Sequence, residues 1–202
     1  MAYVTESGTA TGHGGGLSVA VFCGARPGNS RRVLECAEEV GALLGTRGHH
    51  LVYGAGGVGV MGAVARAAQR HGAPITGVIP RFLRELERDD MAPEQELVVT
   101  EDMFERKQVM FARADAFLAL PGGYGTMDEV IEAVSLNYLG QNPRPLVLLD
   151  VDEFWTPLLR TLTAVQDCGF TRDSMPAPFE IVGDPVAAIA AVEKMSGLRI
   201  EG

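Results

Sequence analysis

Short apolar runs recur along the chain at intervals that fit buried β-strands. Polar residues rarely interrupt them, which is typical of strands covered on both faces of a parallel sheet. Six such runs are present: Leu17–Cys23, Leu51–Tyr53, Ile75–Ile79, Leu97–Val99, Ala116–Leu120 and Leu146–Leu149. The pattern therefore predicts six strands.

Between these runs, apolar residues follow the three- and four-residue spacing of amphipathic helices. The first stripe consists of Val33, Leu34, Ala37, Val40, Leu43 and Leu44, and Asn29 or Ser30 is a suitable N-cap. Further helices are predicted over Val60–Ala68, Met103–Ala112, Met127–Leu139, Phe154–Val165 and, with a proline in the first turn, about Asp184 to Met195. The alternation predicts an α/β fold, a single Rossmann-like doubly wound parallel sheet with helices on both faces.

The N-terminal residues 1–16 differ from the rest of the chain. They are rich in glycine and lack apolar side chains that could pack, so we expect a flexible tail. They contain no apolar block of the kind that a secretory signal needs, which favours a cytoplasmic protein. No repeat or linker divides the remainder, and residues 17–202 are predicted to form one domain.

Composition narrows the possible partners. The formal net charge of −9 and the pI near 4.9 argue against nucleic acid, which requires clustered lysine and arginine. No apolar run approaches the roughly 20 residues of a membrane span. The three cysteines show no CxxC pairing and the four histidines are not spaced as ligands, so we expect neither a disulfide nor a metal site.

The first glycine-rich turn follows Leu51–Tyr53 and runs from Gly54 to Gly62. It contains GxGxxG at Gly54, Gly56 and Gly59, but the acidic residue that a dinucleotide site needs about 20 positions later is absent. Two interpretations stay open: a tight turn that permits close packing of helix on sheet, or a turn that approaches a nucleotide other than NAD.

The second turn, Pro121–Thr126, follows Ala116–Leu120 and opens a helix. Its glycines, Gly122, Gly123 and Gly125, are able to adopt positive φ and let backbone N–H groups approach an anion. Thr126 adds a hydroxyl, and a helix N-terminus favours phosphate. No GK[ST] follows, so this is not a Walker P-loop. The turn predicts a site for a single phosphate.

Two motifs flank the predicted strand Ala116–Leu120. Met103-Phe-Glu-Arg-Lys107 precedes it, Pro121-Gly-Gly-Tyr-Gly-Thr-Met-Asp-Glu129 follows it, and Arg106 and Glu129 are 23 residues apart. Together they resemble the MHxRK-type and PGGxGTxxE motifs of the LONELY GUY family, the cytokinin riboside 5′-monophosphate phosphoribohydrolases. The resemblance covers roughly residues 17–195.

The resemblance implies catalytic roles for Arg106 and Glu129 and a nucleoside 5′-monophosphate substrate. It implies substrate contacts from Glu87, Lys107, Gly122, Gly123, Tyr124, Gly125, Thr126, Met127, Asp128 and Ser135. We also expect the strand-end glycines Gly24, Gly56 and Gly57 to approach this ligand. The resemblance further implies a homodimer.

The chain departs from the family pattern at three places. Phe104 replaces the usual histidine, Ala25-Arg26 replaces a Ser-Ser pair, and Leu136-Asn137-Tyr138 replaces Trp-Ala-Gln. The last two departures fall where they can change the ligand pocket, so the sequence leaves the preferred base undetermined.

The predicted chemistry is hydrolysis of an N-glycosidic bond, in which Glu129 stabilises an oxocarbenium-like ribose and orients water. No cofactor is needed. A non-catalytic nucleotide or cofactor carrier on the same scaffold is the alternative. A lysine decarboxylase would need a Schiff-base lysine, and the chain contains only Lys107 and Lys194.

Overall fold

The computed structural model describes residues 15–86, 93–141, 143–171 and 179–198. Most of the predicted tail and Glu87 lie outside these ranges. The division into a tail and one domain stays a prediction.

In the described part of the chain, a seven-stranded, fully parallel sheet forms the centre of the fold. Its strands are β1 (Ser18–Phe22), β2 (His50–Tyr53), β3 (Ile75–Pro80), β4 (Glu96–Thr100), β5 (Ala116–Ala119), β6 (Leu146–Leu149) and β7 (Glu180–Val182). They lie in the order β4-β3-β2-β1-β5-β6-β7. The sheet confirms the predicted α/β class.

Seven helices connect or follow the strands within the described residues. They are α1 (Arg31–Thr46), α2 (Gly59–Arg70), α3 (Arg81–Leu86), α4 (Met103–Arg113), α5 (Tyr124–Leu139), α6 (Thr156–Asp167) and α7 (Pro185–Met195). α1, α2 and α7 bury their apolar sides in one core cluster, and α4 and α5 contribute to a second cluster. Side chains of alternate β1 residues enter opposite clusters, as the pleat of a strand requires.

Three elements differ from the sequence-based expectation. β7 and α3 were not predicted, because a strand of three residues and a helix of six are too short to show a period. α5 begins at Tyr124, three residues before the predicted Met127, so half of the glycine-rich turn belongs to the helix.

Among the described residues, no helix has both the length and the apolar character that a membrane span would require.

The strand order reverses between β1 and β5, whose connections leave towards opposite edges of the sheet. In such sheets the crevice outside the carboxyl ends of the two strands is the usual ligand site. The two strand ends are joined by a hydrogen bond from the Gly24 N–H to the Pro121 carbonyl at 3.3 Å. The glycine-rich turn Pro121–Thr126 therefore lies at this crevice.

Candidate active site

The turn between β5 and α5 presents free backbone amides. Gly123 is the N-cap of α5, and the first intrahelical bond runs from the Met127 N–H to the Gly123 carbonyl at 3.1 Å. The N–H groups of Tyr124, Gly125 and Thr126 precede that bond, and amides at this position of a helix have no intrahelical acceptor. They form a cradle suited to an anion.

The glycines of this turn do not serve a left-handed backbone conformation, and only at Gly122 does the lack of a side chain provide needed space. The expectation of positive φ was wrong, since none of Gly122, Gly123 and Gly125 adopts it. A Cβ at Gly122 would overlap the Thr126 hydroxyl and lie 2.9 Å from the Gly24 nitrogen. A Cβ at Gly123 or Gly125 would meet nothing within 4 Å. The outer side of the turn is therefore open to a ligand.

The side chains of the turn point in different directions. Thr126 is buried, whereas Tyr124 is 96% exposed and does not close the turn. Met127 is half-buried and packs against the second core cluster, so its side chain faces away from the turn. Met127 therefore offers a bound phosphate neither its side chain nor its N–H, which donates to the Gly123 carbonyl.

Arg106 and Glu129 meet across the interface of α4 and α5. The Asp102 carboxylate caps α4 by accepting from the Phe104 and Glu105 N–H groups at 2.9 and 2.8 Å. One turn later, Arg106 is 6% exposed, and its Nη2 lies 3.8 Å from the Oε1 of Glu129, which is 4% exposed. The sequence-based pairing of these two residues thus corresponds to a buried, loosely spaced ion pair.

The guanidinium of Arg106 has few hydrogen bonds. Nη1 donates weakly to the Met103 sulfur at 3.7 Å, and Nε has no hydrogen-bond partner among the described residues. A buried donor without an acceptor is costly and is uncommon in folded proteins. The arrangement is typical of a group that binds a ligand.

Burial changes the acidity of Glu129. Desolvation raises the pKa of the Glu129 carboxyl from 4.5 to about 7, and the nearby Arg106 charge opposes this shift only in part. A carboxyl group with a pKa near neutrality exchanges protons readily at physiological pH, as a general base requires. Strongly shifted pKa values in a crevice are a feature of functional sites.

Lys107 is held by two carboxylates of α5. Its Nζ lies 2.9 Å from Asp128 and 2.6 Å from Glu132, and 5.8 Å from the centre of the Phe104 ring. Burial alone would lower the pKa of Lys107, but the hydrogen bonds to both carboxylates outweigh it and raise the pKa. Lys107 therefore offsets the negative charge that Asp128 and Glu132 place beside the anion cradle.

A cavity of about 590 Å³ borders the first half of the glycine-rich turn. Its lining residues are Gly24–Ser30, Val33, Val60, Pro121–Gly123, Val151, Asp152 and Phe154. The Ser30 hydroxyl donates to the Asp152 carboxylate at 2.6 Å and so joins two of the loops. Ser30, Asp152 and Phe154 were not predicted from the sequence as residues of a site. Asp152 has a left-handed φ of 55°, which no sequence pattern reveals.

The remaining predicted contacts lie farther from the catalytic pair. Ser135 is exposed on α5, six residues beyond Glu129, or about 9 Å along the helix axis. Gly56 and Gly57 are buried, and Arg66 donates a hydrogen bond to the Gly57 carbonyl. The structure brings Gly24 to the glycine-rich turn, but shows no contact of Ser135, Gly56 or Gly57 with it.

The doubly wound parallel sheet defines a Rossmann-type protein. Where its strand order reverses, the amide cradle and the buried Arg–Glu pair form a candidate site for a phosphorylated ligand. The family model described as "Possible lysine decarboxylase" matches residues 61–192. A protein of Mycobacterium tuberculosis is 41% identical, covering 88% of this chain and 94% of its own length. One of Mycobacterium marinum is 46% identical, covering 77% and 82%.

Both relatives are named cytokinin riboside 5′-monophosphate phosphoribohydrolase. The chain belongs to this family, the LONELY GUY family, as its two motifs predict. Among solved structures, the molybdenum cofactor carrier protein of Chlamydomonas reinhardtii has a TM-score of 0.67 at 22% identity, covering 90% of this chain and 99% of that one. At this identity the likeness concerns the fold alone.

Proposed function

We propose that the protein hydrolyses the N-glycosidic bond of adenosine 5′-monophosphate or an N6-substituted form, such as a cytokinin riboside 5′-monophosphate. The products are the free base and ribose 5-phosphate. The observation that carries the proposal is the buried Arg106–Glu129 pair beside the free amides of α5. The names of the relatives support the same reaction.

The 5′-phosphate binds to the amides of Tyr124, Gly125 and Thr126, with the partial positive charge of the α5 N-terminus behind them. This remote contact fixes the ribose C1′ near Glu129, so that binding energy is used to orient the reacting atoms. Lys107 neutralises Asp128 and Glu132 and so limits their repulsion of the phosphate.

The ionised Glu129 stabilises the positive charge that develops at C1′ as the bond to the base breaks. Water attacks C1′ and transfers a proton to Glu129, while the departing base takes up a proton from solvent. Arg106 is too weak an acid to protonate the base. It orients Glu129 and keeps part of its population ionised near neutral pH.

Two other activities are less well supported. A carrier function has a specific observation in its favour, the fold shared with the molybdenum cofactor carrier, but a carrier does not need a pKa-shifted carboxylate. A lysine decarboxylase would need a lysine that forms a Schiff base. Of the two lysines, Lys107 is paired with two carboxylates and Lys194 lies in the last turn of α7, so neither supports this function.

We also propose that the protein is a cytoplasmic homodimer. Ile131 and Leu139 are 42% and 60% exposed and lie on one face of α5 together with Ser135. An exposed apolar stripe of this kind favours association. Light scattering at micromolar concentration should give the mass of a dimer, and Ile131→Asp should give a monomer. A monomeric wild type would contradict the proposal.

The activity is tested by incubating the protein with AMP and measuring adenine and ribose 5-phosphate. Glu129→Gln keeps the side-chain size and removes the charge, so product release should fall at least ~100-fold. Glu38→Gln, an exposed position on α1, is the matched control and should retain activity. Binding of AMP without release of adenine would favour the carrier.

A further inference from the structure

The first glycine-rich turn follows β2 and supplies none of the three amides that form the anion cradle. Its two left-handed positions are Ala55, with φ 59°, and Gly59, with φ 61°. Gly54, the residue that directly follows β2, does not have a positive φ. Its lack of a side chain therefore needs an explanation other than backbone conformation.

The space beside Gly54 is occupied by the guanidinium of Arg106. A Cβ at residue 54 would overlap Arg106 Nη2 and would lie 3.1 Å from both Arg106 Cζ and Met61 Cε. Nη2 is also the atom that lies 3.8 Å from Glu129 Oε1. A side chain at residue 54 would thus take the place of the nitrogen that faces the carboxylate.

Strong hydrogen bonds do not fix the position of this guanidinium. The distance to Glu129 exceeds that of a hydrogen bond, the contact to the Met103 sulfur is weak, and Nε has no partner among the described residues. Its position is therefore set by the shape of the surrounding walls. The wall at Gly54 is backbone, which cannot move aside as a flexible side chain would.

We propose that Gly54 is a positioning residue that admits the Arg106 guanidinium to the place where it faces Glu129. The proposal rests on the proposed hydrolysis, in which these two groups act together. It assigns to the first glycine-rich turn a function in shaping the catalytic pair, in place of direct contact with a nucleotide.

Gly54→Ala tests the proposal because the overlapping atoms are the far end of a flexible side chain. The fold should tolerate the change, with a melting temperature close to that of the wild type, while the guanidinium moves away from Glu129. We expect kcat/KM for AMP to fall at least ~10-fold. This is less than the ~100-fold loss expected when one electrostatic stabiliser is removed completely. Gly183→Ala, where a Cβ meets nothing within 4 Å, is the matched control.

The pH profile separates positioning from a general structural effect. A more distant Arg106 stabilises the ionised Glu129 less. The rising limb of the plot of kcat/KM against pH should therefore shift to higher pH by about half a pH unit or more. Wild-type activity with an unchanged pH profile in Gly54→Ala would overturn the proposal. Absence of base release by the wild type would instead refute the proposed hydrolysis.

A double-mutant cycle tests whether the effect acts through Arg106. Arg106→Lys lacks Nη2, so adding Gly54→Ala to it should lower the remaining activity less than ~2-fold. If Gly54→Ala alone fails to fold, Arg106→Lys should restore the folded state, which circular dichroism and thermal melting detect. An equal loss in both backgrounds, or a double variant that stays unfolded, would contradict the proposal.

Discussion

Replacing Arg106 by glutamine removes the positive charge that faces Glu129, and the effect on activity should depend strongly on pH. Nη2 and Oε1 are 3.8 Å apart, and two unit charges at this distance interact by about 4 kcal/mol at an effective dielectric constant near 20. That corresponds to about three pKa units, an upper limit because water fills part of the space that the guanidinium leaves. We expect the pKa of Glu129 to rise by about one to three units.

The activity loss of Arg106→Gln should be larger at lower pH because hydrolysis requires an ionised Glu129. At pH 7, near the pKa of about 7 of the wild-type carboxyl, roughly half of the molecules carry the charge; after a rise of one unit, only about one-tenth do. At pH 9 the wild type is almost fully ionised, and the variant is about nine-tenths ionised after a rise of one unit and about one-tenth ionised after a rise of three units. The activity loss of Arg106→Gln should therefore be at least about fivefold larger at pH 7 than at pH 9.

The assay is kcat/KM for adenine release from AMP, measured from pH 5 to pH 10 for the wild type and Arg106→Gln. A profile that is displaced to higher pH supports the electrostatic role. A profile of unchanged midpoint, lowered by the same factor at every pH, would show that Arg106 acts on the substrate alone and that its charge does not control Glu129.

Two further substitutions test the charges around the cradle. Glu129→Gln removes activity but should raise the free energy of unfolding, measured in urea, by about 3 kcal/mol at pH 8. The reason is that burial raises the pKa of the Glu129 carboxyl from 4.5 to about 7, so its ionisation destabilises the folded state as pH rises through that interval. The gain should shrink below about 1 kcal/mol at pH 5, and an equal gain at both pH values would disprove the linkage. Lys107→Met leaves Asp128 and Glu132 without their shared cation. KM of this variant for AMP should therefore rise about 10-fold in 50 mM salt and less in 500 mM salt, which screens the carboxylates. If the KM of the variant does not change with salt, Lys107 does not offset their charge.

The layered fold was predictable because buried parallel strands leave an uninterrupted apolar signal. Six of the seven helices in the described residues were also predicted, and the start of α7 at Pro185 was marked by Asp184, whose carboxylate accepts the Ala187 N–H. β7 was not predictable from the sequence. Its three residues owe their conformation to pairing with β6, a contact that no local pattern encodes.

The site was predictable in its parts and not in its arrangement. The motifs indicated Arg106 and Glu129, yet the burial that raises the pKa of Glu129 depends on how α4 and α5 pack on the sheet. Positive φ was the wrong explanation for the glycines of the second turn, since none of them adopts it and only at Gly122 would a Cβ overlap another atom. The contact between Gly54 and Arg106 joins residues far apart in sequence, so only the folded chain reveals it.

The most direct test of the account compares AMP and N6-isopentenyl-AMP with their nucleosides at equal concentration, following free base and ribose 5-phosphate. Without the phosphate, three charge-assisted hydrogen bonds to the α5 amides are lost, each contributing roughly 1.5–3 kcal/mol. We expect kcat/KM for the nucleosides to be at least ~1,000-fold lower than for the nucleotides. Comparable cleavage of nucleoside and nucleotide would contradict the phosphate site on which the proposed function rests.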